Sequence, residues 1–248
     1  MRIETKLAAA VSAAALAGLT VLAIPGQARA HDWTGVYVGV NAGAGQNNVR
    51  WSNLVVPLEP DAGRPNQIVM SPSDGGFIGG AQVGFNQQMG PWVWGVEAAF
   101  DGSGMEGTGD CVGGYGDYHA DCGTSNHWKA DFTARVGGTV GPALLYVKAG
   151  GTLMGETTKA DHVYYDGYDA GSYKHESSTP FGYVFGTGVE MAFTDCISGA
   201  IEYDYSKVSF TANMTPEASA DTDYVIPFNV HVDQSESVVT ARLNFKVW

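Results

Sequence analysis

The chain has 248 residues with 13 basic and 26 acidic side chains, a formal net charge of −13. A chain this acidic is repelled by nucleic-acid phosphates, which excludes nucleic acid as a partner. Its length suits a single all-β domain behind a short leader.

The leader comes first. Arg2 and Lys6 precede an apolar run from Leu7 to Ile24, and Pro25, Gly26, Gln27, Ala28, Arg29 and Ala30 follow. Ala28 and Ala30 make the small-x-small pattern of a signal-peptidase site, so cleavage is expected after Ala30. A membrane anchor is the competing reading of an 18-residue run, but this run is Ala-rich and the cleavage site follows at once. The chain thus divides into a signal peptide, 1–30, and a single domain, 31–248. Losing Arg2, Lys6, Arg29 and Glu4 takes 13 basic residues to 10 and 26 acidic residues to 25, a net charge of −15. No second long apolar run follows Ile24, so no further transmembrane helix is expected.

Eight strand-like segments then succeed one another. The first, Trp33 to Gly43, sets Val36, Val38, Val40 and Ala42 against Tyr37, Gly39, Asn41 and Gly43. The second opposes Phe77, Val83 and Phe85 to Gly80, Gln82 and Asn86, and the third opposes Trp94, Val96 and Phe100 to Gly95, Glu97 and Asp101. The fourth gives Trp128, Phe132 and Val136 against Lys129, Asp131 and Arg135, and the fifth gives Leu145, Val147 and Leu153 against Tyr146 and Lys148. The sixth sets Phe181, Tyr183, Phe185 and Val189 against Gly186, Gly188 and Glu190. The seventh sets Ile201, Tyr203 and Tyr205 against Glu202 and Asp204, and the eighth sets Val239, Leu243, Phe245 and Val247 against Arg242, Asn244 and Lys246.

Period-two alternation identifies half-buried strands. The connections identify the architecture. Short ones (Gln87–Pro91, Val140–Ala143, Phe193–Asp195) alternate strictly with long ones, near 46–75, 102–126, 154–179 and 207–232. This pattern predicts an eight-stranded antiparallel up-and-down transmembrane β-barrel with four long extracellular loops and both termini on the periplasmic side. The apolar, aromatic-flanked face should meet lipid. The polar face should line a narrow lumen closed by ion pairs among Glu97, Asp131, Arg135, Lys148, Glu190, Glu202 and Arg242. A water-soluble barrel would invert the two faces and show solvent a Gly-rich surface.

Three cysteines follow the leader. Cys111 and Cys122 share the second long connection, where an oxidising compartment would let them pair for about 3 kcal/mol, and Cys196 would stay free. Gly102-Ser103-Gly104-Met105-Glu106-Gly107 spells G-x-G-x-x-G, but no helix start follows it, so it reads as loop. No nucleophile elbow or metalloprotease motif is present, and no spacing matches a metal site. The expectation is a non-enzymatic chain without cofactor or metal.

Trp33-Thr34-Gly35-Val36-Tyr37-Val38-Gly39-Val40-Asn41-Ala42-Gly43 resembles the opening of the small porin-like outer-membrane barrels of alpha-proteobacteria. These are often called outer-membrane immunogenic proteins, and they include haemin-binding members. Trp94-Gly95-Val96-Glu97-Ala98, Gly186-Thr187-Gly188-Val189-Glu190, Ile201-Glu202-Tyr203-Asp204-Tyr205 and Leu243-Asn244-Phe245-Lys246-Val247 fit the same family. The terminus departs from it, because Val247 takes the outward phase that an aromatic residue usually holds and Trp248 follows one step out. The resemblance implies delivery to the outer membrane by the barrel-assembly machinery and a porin-like surface antigen. Together with the acidic loops, which would meet lipopolysaccharide through divalent cations, it leads to an expected monomer with an envelope-structural and surface-interaction role. A narrow porin-like channel is one alternative. Haem capture is another, since His and Tyr are haem ligands and His162, Tyr164, Tyr165 and His175 crowd the third long connection.

Overall fold

The computed structural model describes residues 31–52, 73–112, 119–165, 168–169, 172–216 and 228–247. The leader therefore lies outside the described residues. Ten strands run antiparallel in chain order: β1 (Gly35–Ser52), β2 (Ser73–Met89), β3 (Trp92–Val112), β4 (His119–Val140), β5 (Ala143–Tyr165), β6 (Tyr168–Asp169), β7 (Tyr173–Ser178), β8 (Phe181–Ala192), β9 (Ile197–Pro216) and β10 (Phe228–Lys246). Each wall strand pairs with its sequence neighbours, and β10 closes the ring onto β1, from Tyr37 opposite Lys246 to Ser52 opposite His231. One place in the ring is shared. β8 pairs with β5 and β9 low in the wall, β7 resumes the same two pairings higher up, and Thr179-Pro180 breaks the strand between them. The result is an eight-stranded barrel with no open edge, the form that satisfies every backbone group within a bilayer.

Two of the short turns are Gly-Pro pairs, Gly90-Pro91 and Gly141-Pro142. Both glycines have positive φ, 62° and 61°, and a Cβ at either would touch nothing within 4 Å. Backbone conformation selects glycine there, as the first central position of a II′ hairpin requires, and proline suits the second.

The long connections are where the structure corrects the sequence reading. Seven wall strands run 17 to 23 residues, whereas crossing a bilayer takes about 9–11 tilted residues. The described residues of these connections are largely strand. The supposed loop 102–126 is a hairpin paired up to Val112 opposite His119, and β9 pairs with β10 as far as Met214 opposite Phe228. The barrel thus continues as a paired extension on the side of the long connections. Bulges between Gly102 and Met105 and between Asn126 and Trp128 mark its base in β3 and β4.

In the lower part of the wall the outward face is apolar: Val40, Phe77, Trp94, Val96, Phe100, Phe132, Val147, Phe181, Phe185, Ile201 and Phe245 are all exposed. In the extension the pattern reverses. On β9, Ser209, Thr211 and Asn213 face out while Val208, Ala212 and Met214 are buried inside; on β1, Asn48 and Arg50 face out over buried Val49 and Trp51. At the opposite, periplasmic end a small apolar cluster of Trp33, Val93, Leu144 and Tyr146 fills the mouth.

Candidate functional site: the lumen

The membrane-level lumen is lined by the polar residues of the inward phase, and the barrel is narrow enough for their side chains to meet. Arg242 on β10 reaches across to Glu97 on β3, 2.7 Å away, and also bonds Glu202 on β9. Lys148 on β5 meets Glu202 at 2.7 Å and Asp204 at 3.0 Å. Arg135 on β4 pairs with Glu190 at 3.2 Å, and Glu190 also accepts from Ser198 and Asn244. The guanidinium of Arg135 lies between two aromatic rings, 4.7 Å from the Tyr37 centroid and 5.1 Å from that of Tyr146. Those tyrosines donate to Glu97 and Glu202, each at 2.6 Å. Both rings lie over glycine: a Cβ on Gly84 would come 2.3 Å from Tyr37, and one on Gly188 would come 2.5 Å from the Tyr146 hydroxyl. Any larger residue at these two positions would push a ring off the arginine.

Six of the seven residues expected to pair across the lumen therefore lie in one layer, with three acids against three bases. Asp131 sits higher and pairs with Lys129 at 3.5 Å. Lys246, counted with the lumenal bases from sequence, is instead at the periplasmic end, where its Nζ donates to the Asp32 carbonyl. Tyr37 and Tyr146 were not singled out from sequence. Their in-phase position opposite glycines is the signal that could have found them.

Above this layer the charge balance shifts. Among the described residues eight buried carboxylates line the lumen (Glu97, Asp101, Asp131, Glu156, Glu190, Glu202, Asp204, Glu236) against four buried bases, Lys129, Arg135, Lys148 and Arg242. Lys129 is the single buried base of the upper part among the described residues, where it bonds Ser206 at 2.6 Å and lies 3.2 Å from Glu236. Glu156, inside the extension, is pushed up to about 8, by burial first and then by the charge of Glu236, although a hydrogen bond from Gln234 opposes the shift. No group of three His, Cys, Asp or Glu side chains converges as a metal site among the described residues.

The outer wall of the extension carries exposed pairs. Asp233 accepts from Ser209 at 2.5 Å and lies 3.7 Å from Lys207 and 3.8 Å from His231. The Ser209 hydrogen bond, with help from Lys207, holds its carboxyl below the ordinary range.

Of the residues weighed for haem, Tyr164 lies in β5 opposite His119, and His175 lies in β7 opposite Thr158, four positions before His162. The side chains of His162, Tyr164, Tyr165 and His175 are outside the described set. Cys122 is buried and disulfide-bonded, and Cys196 is free and exposed beside the third short turn. The backbone places Cys111 opposite Ala120 and Cys122 opposite Gly109; the side chain of Cys111 is likewise outside the described set.

A closed antiparallel ring with an apolar outer band and a charged interior defines an integral outer-membrane β-barrel. Residues 12–241 match the outer membrane protein beta-barrel domain, and the chain belongs to that family. It is 30% identical over 179 residues to the 31 kDa outer-membrane immunogenic protein of Brucella melitensis, covering 70% of each chain. It is 33% identical over 132 residues to the 22 kDa outer membrane protein of Rhizobium leguminosarum, covering 53% of this chain and 52% of that one. Among solved structures it is similar to Neisserial surface protein A, at TM-score 0.41 and 14% identity over 86% of this chain and 97% of that one. These relatives place the protein in the outer membrane, as expected from the leader, the wall and the resemblance.

Proposed function

We propose that the protein is a closed, non-enzymatic and monomeric outer-membrane barrel with an envelope-structural and surface-interaction role. The observation that carries this reading is the layer in which Arg242 bridges Glu97 and Glu202 while Arg135 fills the space between Tyr37 and Tyr146. Opening a conducting path at this level means separating buried ion pairs, which is strongly unfavourable once one partner is left without its counter-charge. Planar-bilayer recording of the purified monomer tests the claim: the parent should show no steady conductance, and general-porin conductance would overturn it. A narrow channel would need this layer to rearrange, and it predicts slow openings that increase when Arg242 is replaced.

In the same reading the leader is removed after Ala30 and the assembly machinery inserts the mature chain. The extension then meets lipopolysaccharide through divalent cations and its own acidic and basic side chains. Cys122 finds its disulfide partner in Cys111, which non-reducing peptide mapping would show as one linked peptide pair. A Cys196 linkage instead would contradict the barrel's two-sided topology. Haem capture is the second reading, favoured by the pairing of β5 with β7, which brings His162, Tyr164, Tyr165 and His175 into one hairpin. Growth of a deletion strain on haem, measured beside its envelope permeability, separates the two. Loss of haem use with an intact envelope would reverse their order.

A further inference from the structure

A ring of four side chains inside the extension has bonding capacity that the ion-pair layer does not use. Asn126 Nδ2 donates to Glu236 Oε1 at 3.1 Å, and Gln234 Nε2 donates to Glu156 Oε1 at 2.9 Å. Asn126 and Glu156 face each other across β4 and β5, and Gln234 and Glu236 are successive inward residues of β10, so the four close on one another. None is more than 1% exposed. In both contacts the amide nitrogen donates to a carboxylate oxygen, so each amide oxygen points elsewhere. That leaves Asn126 Oδ1, Gln234 Oε1 and Glu156 Oε2 without a hydrogen-bond partner.

Two neighbours add to the set. Asn47, opposite Glu236 on β1, is fully buried with both its amide nitrogen and its carbonyl oxygen unpartnered, and the buried Thr158 hydroxyl, one inward position above Glu156, is unpartnered too. Lys129 lies beside Glu236, but no cation lies within ion-pair distance of Glu156 among the described residues. The lower lumen leaves both kinds of atom unpartnered, the nitrogens Nη2 of Arg135 and Nε of Arg242 and the oxygens Oδ1 of Asn41 and Asp204, but there Lys148, Arg135 and Arg242 lie among the carboxylates. Without a cation, burial keeps a proton on Glu156 near neutral pH. A divalent cation at Glu156 Oε2 would displace that proton, accept the orphan oxygens of the ring as ligands and offset part of the excess of buried carboxylates over bases.

We propose that this ring is a divalent-cation site of the calcium class, with Glu156 as its charged ligand and Asn126, Gln234, Asn47 and Thr158 supplying neutral oxygens. The donor set is all oxygen and mixed in type, with no imidazole or thiolate. That suits a hard ion tolerant of irregular coordination better than magnesium, which demands a near-ideal octahedron, or zinc. The ion would cross-link β1, β4, β5 and β10 from inside the extension.

The inference rests on the closed-lumen reading, because an open, water-filled lumen would hydrate the ring. The test uses the mature full-length barrel, refolded in detergent without lipopolysaccharide so that no lipid phosphate competes for the ion. After chelator treatment, equilibrium dialysis against radioactive calcium should show saturable uptake that a large excess of magnesium displaces poorly, and calcium should raise the melting temperature. Glu156→Gln should abolish uptake and the calcium-dependent shift, whereas Asp233→Asn on the outer wall should preserve both. No saturable uptake by the parent barrel would overturn the proposal whether or not the variant folds, and so would undiminished uptake by Glu156→Gln. Conductance reports on the closed lumen separately, so a conducting barrel that still retains calcium breaks that reading alone.

Discussion

The membrane-level barrel and its extension are built from the same continuous strands and the same alternation, yet their faces have opposite chemistry. On β9, Ile201, Tyr203 and Tyr205 point outward with Glu202, Asp204 and Ser206 inside; a few residues on, Ser209, Thr211 and Asn213 point outward with Val208, Ala212 and Met214 inside. No phase slip occurs in β9 to cause the change. What changes is the medium outside the wall, from hydrocarbon to water, and each face takes the chemistry its medium requires. The lower lumen can then be polar because lipid covers the outside. The outer wall of the extension must be polar because it meets water, and its interior mixes apolar side chains such as Val208, Ala212 and Met214 with the buried polar residues Asn126, Glu156, Gln234 and Glu236.

The largest test of the comparison lies in the lower lumen. Arg242→Ala leaves Glu97 and Glu202 to share Lys148, which is 3.9 Å from the first and 2.7 Å from the second, and removing one partner of a buried pair costs about 3–5 kcal/mol. Reversible unfolding of the refolded barrel in denaturant should show a loss of this order. Arg242→Ala combined with Glu97→Gln and Glu202→Gln should recover part of it, because the excess charges go too. Equal stability of parent and single variant would mean that this layer is hydrated.

Outward substitutions separate the two regions most directly. Val147→Arg puts a cation on the lipid face, where the cost is about 2–4 kcal/mol near the bilayer midplane. Thr211→Arg makes the same change of charge on the outer face of the extension, where surface substitutions stay within about 0.5 kcal/mol. If both variants unfold like the parent in lipid vesicles, the apolar band is placed wrongly.

The extension should also respond to pH through Glu156. Its carboxyl is raised from an ordinary 4.5 to about 8 in the folded barrel, so between those values the folded chain holds a proton that the unfolded chain releases. The associated stability is complete below pH 4.5 and is lost as the pH rises through 8. In chelator-containing buffer the parent should therefore melt lower at alkaline than at mildly acidic pH, and Glu156→Gln should flatten that dependence.

Much of the lower barrel was legible in the sequence. The strand count, the closed ring, the outward residues and the identity of the lumenal charges follow from period-two alternation and the order of short and long connections. Which acid meets which base did not follow, because partners such as Arg242 and Glu97 stand 145 residues apart and strand tilt decides which inward residues share a level. The extension was misread for two physical reasons. In β3 and β4 the bulges slip the phase among glycines and polar residues, which erases the strand signal. In β9 and β10 the alternation persists, but its polarity reverses, and a search for one consistently apolar face stops where the reversal begins. Glu156 fell within the supposed loop 154–179, and Gln234 and Glu236 lay between the supposed loop 207–232 and the apolar face of the eighth strand.

The smallest expected effect uses the same chemistry as the first prediction, placed on the other side of the wall. Asp233 pairs with Lys207 and accepts from Ser209 as Glu97 pairs with Arg242 and accepts from Tyr37, but the outer pair is about a third exposed on each side. Water screens the attraction and solvates either partner when the other is removed, so exposed pairs contribute roughly 0–1 kcal/mol. Asp233→Asn should shift the unfolding midpoint by no more than that, and added salt should shrink the difference further, while leaving the Arg242→Ala loss almost unchanged. A salt-insensitive loss at Asp233 as large as that at Arg242 would mean that the outer wall of the extension is covered in the folded protein. The contrast between the two regions would then have to be redrawn as one between two buried surfaces.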